Sequence, residues 1–181
     1  MARSDKKFNA GYLKIDRAKH HVSDLSRKIT AFLAQDPFEL VTRGDTNTGE
    51  ITHSIIEQEP IPDELSLIIG DAIHNLRCSL DMTIFAMIGE IAPKPDLVQF
   101  PFCRRPESLD DEIKKRQIHL AGERVVDAIK ALKPHPGGHG GLEAIHALDV
   151  RDKHKLILTT RSNALISGAE FNVLIPGMEV A

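Results

Sequence analysis

Residues 70–81 read GDAIHNLRCSLD, and the reactive side chains in this stretch share one edge of what the spacing predicts to be a helix. On a wheel of about 100° per residue, Ile69, Ala72, Ile73, Leu76 and Leu80 gather on one side. Asp71, His74, Cys78 and Asp81 lie opposite, with Asn75 and Arg77 at the margins. A helix face that serves only solubility is normally built from Lys and Glu, which are long and favour helix. Short Asp, His, Asn and Cys are poorer helix formers, so another requirement has placed them here. Histidine and aspartate can move protons, arginine can hold a phosphate or a carboxylate, and a thiol beside an imidazole can act as a nucleophile.

A second polar group sits late in the chain, in LEAIHALDVRDKHKLIL. There Leu142, Ile145, Leu156 and Ile157 predict an apolar side, with His146, Asp149 and Lys153 projecting among them. A charge in an apolar stripe must be paired or wetted, because unpaired burial costs several kcal/mol. The expected arrangement is therefore a polar layer in which the Asp71–His74–Asn75–Arg77–Asp81 edge meets Asp149, Asp152, Lys153 and His154. Asp149 or Asp152 would pair with Arg77, or His74 would reach Lys153 through an acid. Such a layer fixes how two helices register; alternatively His74, Arg77 and His154 form a catalytic set.

Other chemistries fit less well. Nine histidines invite a metal, and Asp71, His74 and Cys78, separated by three and then four residues, could offer ligands from one face. His20 and His21 diverge on a helix, His139, His146 and His154 are too far apart along one, and HExxH is absent. No metal or other cofactor is expected. The DTNTG loop is not a calcium loop, since Glu50 stands where the turn needs Gly and Ile56 where it needs Glu. HPGGHGG lacks the Lys-Ser/Thr of a phosphate loop, and no GxSxG occurs. Cys78 near His74 has thiolate–imidazole spacing, yet an interior helical turn offers no evident oxyanion hole.

The elements that must position these groups are legible from periodicity. Phe8, Ile15, Val22 and Ile29, with Gly11, Ala18, Leu25 and Phe32, repeat every seven residues and predict a helix over 8–33, about 38 Å long. FELVTRG and EITHSII flank a turn-forming loop and predict a β-hairpin, about 38–56. PIPDE opens a second long helix that runs to Ile91, with proline and acidic residues suited to a first turn. A proline-rich connector follows. Shorter helices are expected near 109–118, capped by Ser108, and over ERVVDAIKAL, ended by Pro134. The fifth helix begins after the glycine loop, and a β tail is expected about 163–176.

The fold class expected is mainly α (α+β): a single helical-bundle domain over 1–181, with two long antiparallel helices, a hairpin insertion and a C-terminal β segment. A formal charge of −3 gives no general pull toward nucleic acid, and aromatic content of 4% without tryptophan disfavours stacking on bases. No apolar run reaches the length of a membrane span, and no apolar stretch follows the basic start, so no membrane partner is expected. Two cysteines without CxxC spacing suit a reduced, cytoplasmic setting. The partner left open is RNA or a protein, a second copy of the chain included.

IGDAIHNLRCSLD, then FPF, then LKPH and LEAIHALDVRDKHKLIL, resemble a family of uncharacterised bacterial proteins with a GD-x-[IL]-HNLR-x-x-LD helix, a short FP segment and a late DKH[RK] segment. The likeness spans about residues 8–160 and places Gly70, Asp71, His74, Asn75, Arg77, Leu80, Asp81, Asp152, Lys153 and His154 on motif positions; the tail past 165 is short for that family. A weaker likeness is to the HEPN superfamily, helical bundles that include metal-independent ribonucleases using an Arg and a His a few residues apart. Here Met82 stands where that His would fall, and Arg151 and His154 are too close. The resemblance implies that, if RNA is cut, His74 or His154 moves the proton and Arg77 stabilises phosphate charge.

Overall fold

The computed structural model describes residues 6–44, 49 and 51–154, the last three by backbone alone. The order is α1 (Asn9–Leu33), β1 (Phe38–Gly44), β2 (Ile51–Glu57), α2 (Asp63–Ile88), α3 (Leu109–Lys115), α4 (Glu123–Leu132) and α5 (Gly140–His154). Two 3-10 turns, Pro95–Leu97 and Pro106–Ser108, precede α3, and a third, Ile118–Ala121, precedes α4. The described residues are mainly helical with one hairpin. The β tail expected about 163–176 lies outside the described residues.

Helices α1 and α2 run antiparallel. Lys28 near the end of α1 pairs with Glu64 at the start of α2, 2.8 Å apart. At the other end, Gly11 lies against Ser79 and Thr83. The heptad series containing Gly11 and Ala18 forms the seam, and both are buried. Small residues let the backbones close. A Cβ at Gly11 would stand 3.0 Å from the Thr83 hydroxyl oxygen. That hydroxyl is held by its own bond to the Ser79 carbonyl, 2.8 Å, so it has little freedom to yield. Gly11→Leu is expected to destabilise the fold by about 1–3 kcal/mol through overpacking, measured by equilibrium unfolding in urea.

The hairpin pairs Phe38 with Glu57 through Gly44 with Ile51, and Thr42 meets His53 across it. Helix α2 starts with Pro62 as its extended N-cap and with Asp63 and Glu64 in the first turn, where acidic groups meet the positive helix end. It stops at Ile88, three residues before the expected Ile91. The departure is gradual: Gly89 keeps helical dihedrals and its N–H still donates to the Phe85 carbonyl. Both Ile91 and Ala92 then donate to the Ile88 carbonyl.

The main core is not between the two long helices. It is formed by the last turns of α2 (Ile84, Ile88) with Val98, Phe100 and Cys103 of the connector, Leu109 and Ile113 of α3, Ile118 and Ile129. The proline-rich stretch is therefore core-forming structure. Gln117 clamps its beginning, accepting from the Lys94 N–H at 3.0 Å and donating to the Lys94 carbonyl at 2.6 Å. The Cys103 N–H donates to the Pro134 carbonyl at 3.1 Å and closes its end onto the end of α4. Ser108 does not cap α3 through its side chain as expected; its hydroxyl bonds back to the Arg105 carbonyl. Asp110 of α3 meets Lys130 of α4 at 2.7 Å, and the ammonium holds that carboxyl below the usual carboxylate range.

Candidate functional site

The polar edge of α2 faces α5, and the contact divides into two groups. In the first, His74 Nδ1 lies 3.0 Å from Asp149 Oδ1. The carboxylate comes from α5 and is buried, with its side chain 6% exposed, whereas the imidazole is 44% exposed. One turn further along α2, Cys78 Sγ lies 3.4 Å from the other ring nitrogen, Nε2. Three groups from two helices thus line up as thiol, imidazole and carboxylate.

In the second group, Arg77 pairs with Asp81 one turn later, and only 11% of the arginine side chain is exposed. Asp81 Oδ1 also accepts the Phe100 N–H at 2.8 Å, which ties the connector to α2. The guanidinium lies over the Phe102 ring, 4.6 Å from its centroid. On α5, His146 stacks against Phe102 with centroids 4.4 Å apart and planes within 4°. Phe100 leans on Phe102 at 4.9 Å. The aromatic pair of FPF is therefore the platform between the two helices, and each face of such a ring attracts a cation or a second ring.

No family model, curated protein or solved structure matches this chain.

Several expected site residues come together, though with other partners. Asp149 meets His74, and the carboxylate paired with Arg77 is Asp81. This follows from reach: i and i+4 on one helix are neighbours, so Asp81 already occupies the guanidinium. Asn75 is buried, but its amide donates to the Asp71 carbonyl at 2.7 Å, within α2. The Asp71 side chain is exposed. Asp152, Lys153 and His154 fall on the last turn of α5, and their side chains lie outside the described residues. Periodicity places His146 in the late polar group but gives no sign of the contribution of Phe100 and Phe102. FPF stood out only as a resembling segment, and its aromatic pair in a chain with seven phenylalanines was the usable signal.

Chemically, the second group is closed. Arginine is sandwiched and charge-paired, which leaves little of it to meet a phosphate. The first group is half open to solvent through His74. Among the described residues, no three His, Cys, Asp or Glu side chains are placed to hold a metal ion, and no helix is long and apolar enough to cross a membrane.

Proposed function

We propose that this chain is a protein-interaction module in which the α2–α5 polar layer sets helix register and the apolar margin of α1 with the hairpin receives a protein surface, in the first instance a second copy of the chain. The supporting observation is how the side chains are divided. Arg77 and Asp149 are turned inward, while apolar residues stay outside.

On α1 the other heptad series is incompletely covered: Val22 is 54% exposed and Ile29 38%, with Leu33 beside them. Phe32 packs edge-on against Phe38, centroids 6.0 Å apart, and carries this margin onto the hairpin. Side chains alternate along strands, so the register puts Phe38, Leu40, Ile51 and Ile55 on one face, and all four are exposed. An apolar stripe continuous across two elements is what a docking surface requires. Its flanks carry opposite charges in pairs, Asp16 with Lys19 and Asp24 with Arg27. Mixed charge does not select nucleic acid; it suits a protein surface, and a two-fold contact can satisfy it reciprocally.

The test is sedimentation velocity of the full chain across a micromolar concentration series. A dimer is expected, and Val22→Asp with Ile29→Asp should shift it to monomer with an unchanged far-UV circular dichroism spectrum. A wild type that remains monomeric throughout would remove the second copy as occupant. The competing reading, a HEPN-like ribonuclease, is tested alongside by incubating a broad RNA panel with the protein in EDTA. Cleavage that disappears in folded His74→Ala or His154→Ala would replace the interaction reading with an enzymatic one.

A further inference from the structure

The half-open group on the α2–α5 contact has a geometry that register alone does not require. A carboxylate can only accept a hydrogen bond, so Asp149 opposite Nδ1 selects the neutral His74 tautomer that carries its proton there. Nε2 is left with its lone pair, and that atom is the one 3.4 Å from Cys78 Sγ. A base oriented by a third group next to a nucleophile is the arrangement by which proteins activate thiols. The line crosses from α2 to α5, so it exists only when the helices are docked.

The class of electrophile follows from what surrounds the sulfur. Cys78 is in the interior of α2, where backbone N–H groups are already bonded to carbonyls four residues back. They cannot stabilise an oxyanion, which acyl transfer would need. A hydroperoxide makes no tetrahedral oxyanion. It needs a nucleophilic sulfur, a proton for the departing oxygen, and access for a small molecule, and Cys78 is itself only partly buried beside the half-open imidazole.

The geometry points to Cys78 as a hydroperoxide-reactive thiol, with His74 as its proton carrier and Asp149 as the residue that positions His74. The thiol proton moves to Nε2 and sulfur attacks one peroxide oxygen. The O–O bond breaks, and the departing alkoxide or hydroxide takes the proton back from Nε2. The net change is thiol plus hydroperoxide to sulfenic acid plus alcohol or water; sulfur loses two electrons and the peroxide gains them. Cys103 is the internal contrast: it is buried, burial pushes its thiol upward, and no imidazole faces it among its described hydrogen-bond partners.

The experiment treats the full chain with hydrogen peroxide, traps sulfenic acid with dimedone, and follows the Cys78 and Cys103 peptides by mass spectrometry. Native Cys78 is expected to react faster than Cys78 in the guanidinium-unfolded chain, although folding half-buries it, and native Cys103 slower. His74→Gln, shown to be folded by circular dichroism, is expected to slow Cys78 on the order of a hundredfold. Asp149→Asn has a separate readout, because an amide can donate to Nδ1: heteronuclear NMR of the imidazole nitrogens should show the His74 proton leaving Nδ1 for Nε2, with sulfenylation slowed in parallel. Native Cys78 reacting no faster than unfolded Cys78 would overturn the assignment, and this comparison needs no variant. So would a folded His74→Gln that reacts at the wild-type rate, or a tautomer indifferent to Asp149.

Discussion

Asp81→Ala is expected to destabilise the fold by about 3 kcal/mol, the low end of what removing one partner of a buried ion pair costs. Two groups would lose their acceptor together. Arg77, 11% exposed, would keep a full charge between α2 and the Phe102 ring without its counter-ion. The Phe100 N–H, on a residue 5% exposed, would be left without the carboxylate it now donates to at 2.8 Å. Asp81→Asn separates the two effects. Its side-chain carbonyl can still accept the Phe100 N–H, so the loss should fall to about 1–2 kcal/mol, the scale of one charge-assisted hydrogen bond. Equilibrium unfolding by guanidinium, followed by far-UV circular dichroism since the chain has no tryptophan, measures both. If Asp81→Ala unfolds within about 0.5 kcal/mol of wild type, the range of an ordinary surface substitution, the pair does not anchor the connector. A combined Arg77→Met, Asp81→Leu variant should recover part of the loss, because an apolar pair leaves no charge stranded.

What could be read from the chain in advance follows the reach of each interaction. Helix α1, both hairpin strands and α4 were legible to within a residue or two, because periodicity and turn chemistry are local. The expected end of α2 lies three residues late, since Ile91 continues the apolar pattern while the backbone after Ile88 passes into turns. The meeting of α2 with α5 was legible as a need: Asp149 in an apolar stripe had to find a partner. Which partner was not legible. Arg77 attracts any acid within range, and choosing between Asp81 and Asp149 requires knowing how α5 is rotated on α2. The connector was the largest gap. Four prolines between Pro93 and Pro106 read as loop, yet Val98, Phe100, Pro101 and Cys103 are buried there. An irregular segment has no period to betray its inner face. Its role is visible only once Asp81, Gln117 and Pro134 are seen to satisfy its backbone.

Phe102→Ala is the substitution expected to separate α5 from the rest of the molecule. The ring is shared: Arg77 of α2 lies on it at 4.6 Å and His146 of α5 stacks on it at 4.4 Å. Truncation opens a cavity, removes the face that attracts the guanidinium, and takes away the ring that joins α2 to α5, leaving His74–Asp149 as a direct bond between them. The combined loss should reach about 3–4 kcal/mol, as for other large aromatic truncations. Phe102→Leu refills much of the volume without a planar face. If filling space is what matters, the leucine variant should stand within about 1.5 kcal/mol of wild type; if the face matters, it should fall with alanine, by about the worth of a cation–π and a stacked pair. Hydrogen exchange resolves where the loss is felt. Amides of Gly140–His154 should exchange faster in Phe102→Ala, while those in the seam around Gly11 and Ala18 keep wild-type protection, because the face of α2 that carries Ser79 and Thr83 is held by α1. Equal loosening of both helices would mean that α5 is not a separately docked element. The polar layer would then be one more part of a common core, and the thiol–imidazole–carboxylate line would open only when the whole fold does.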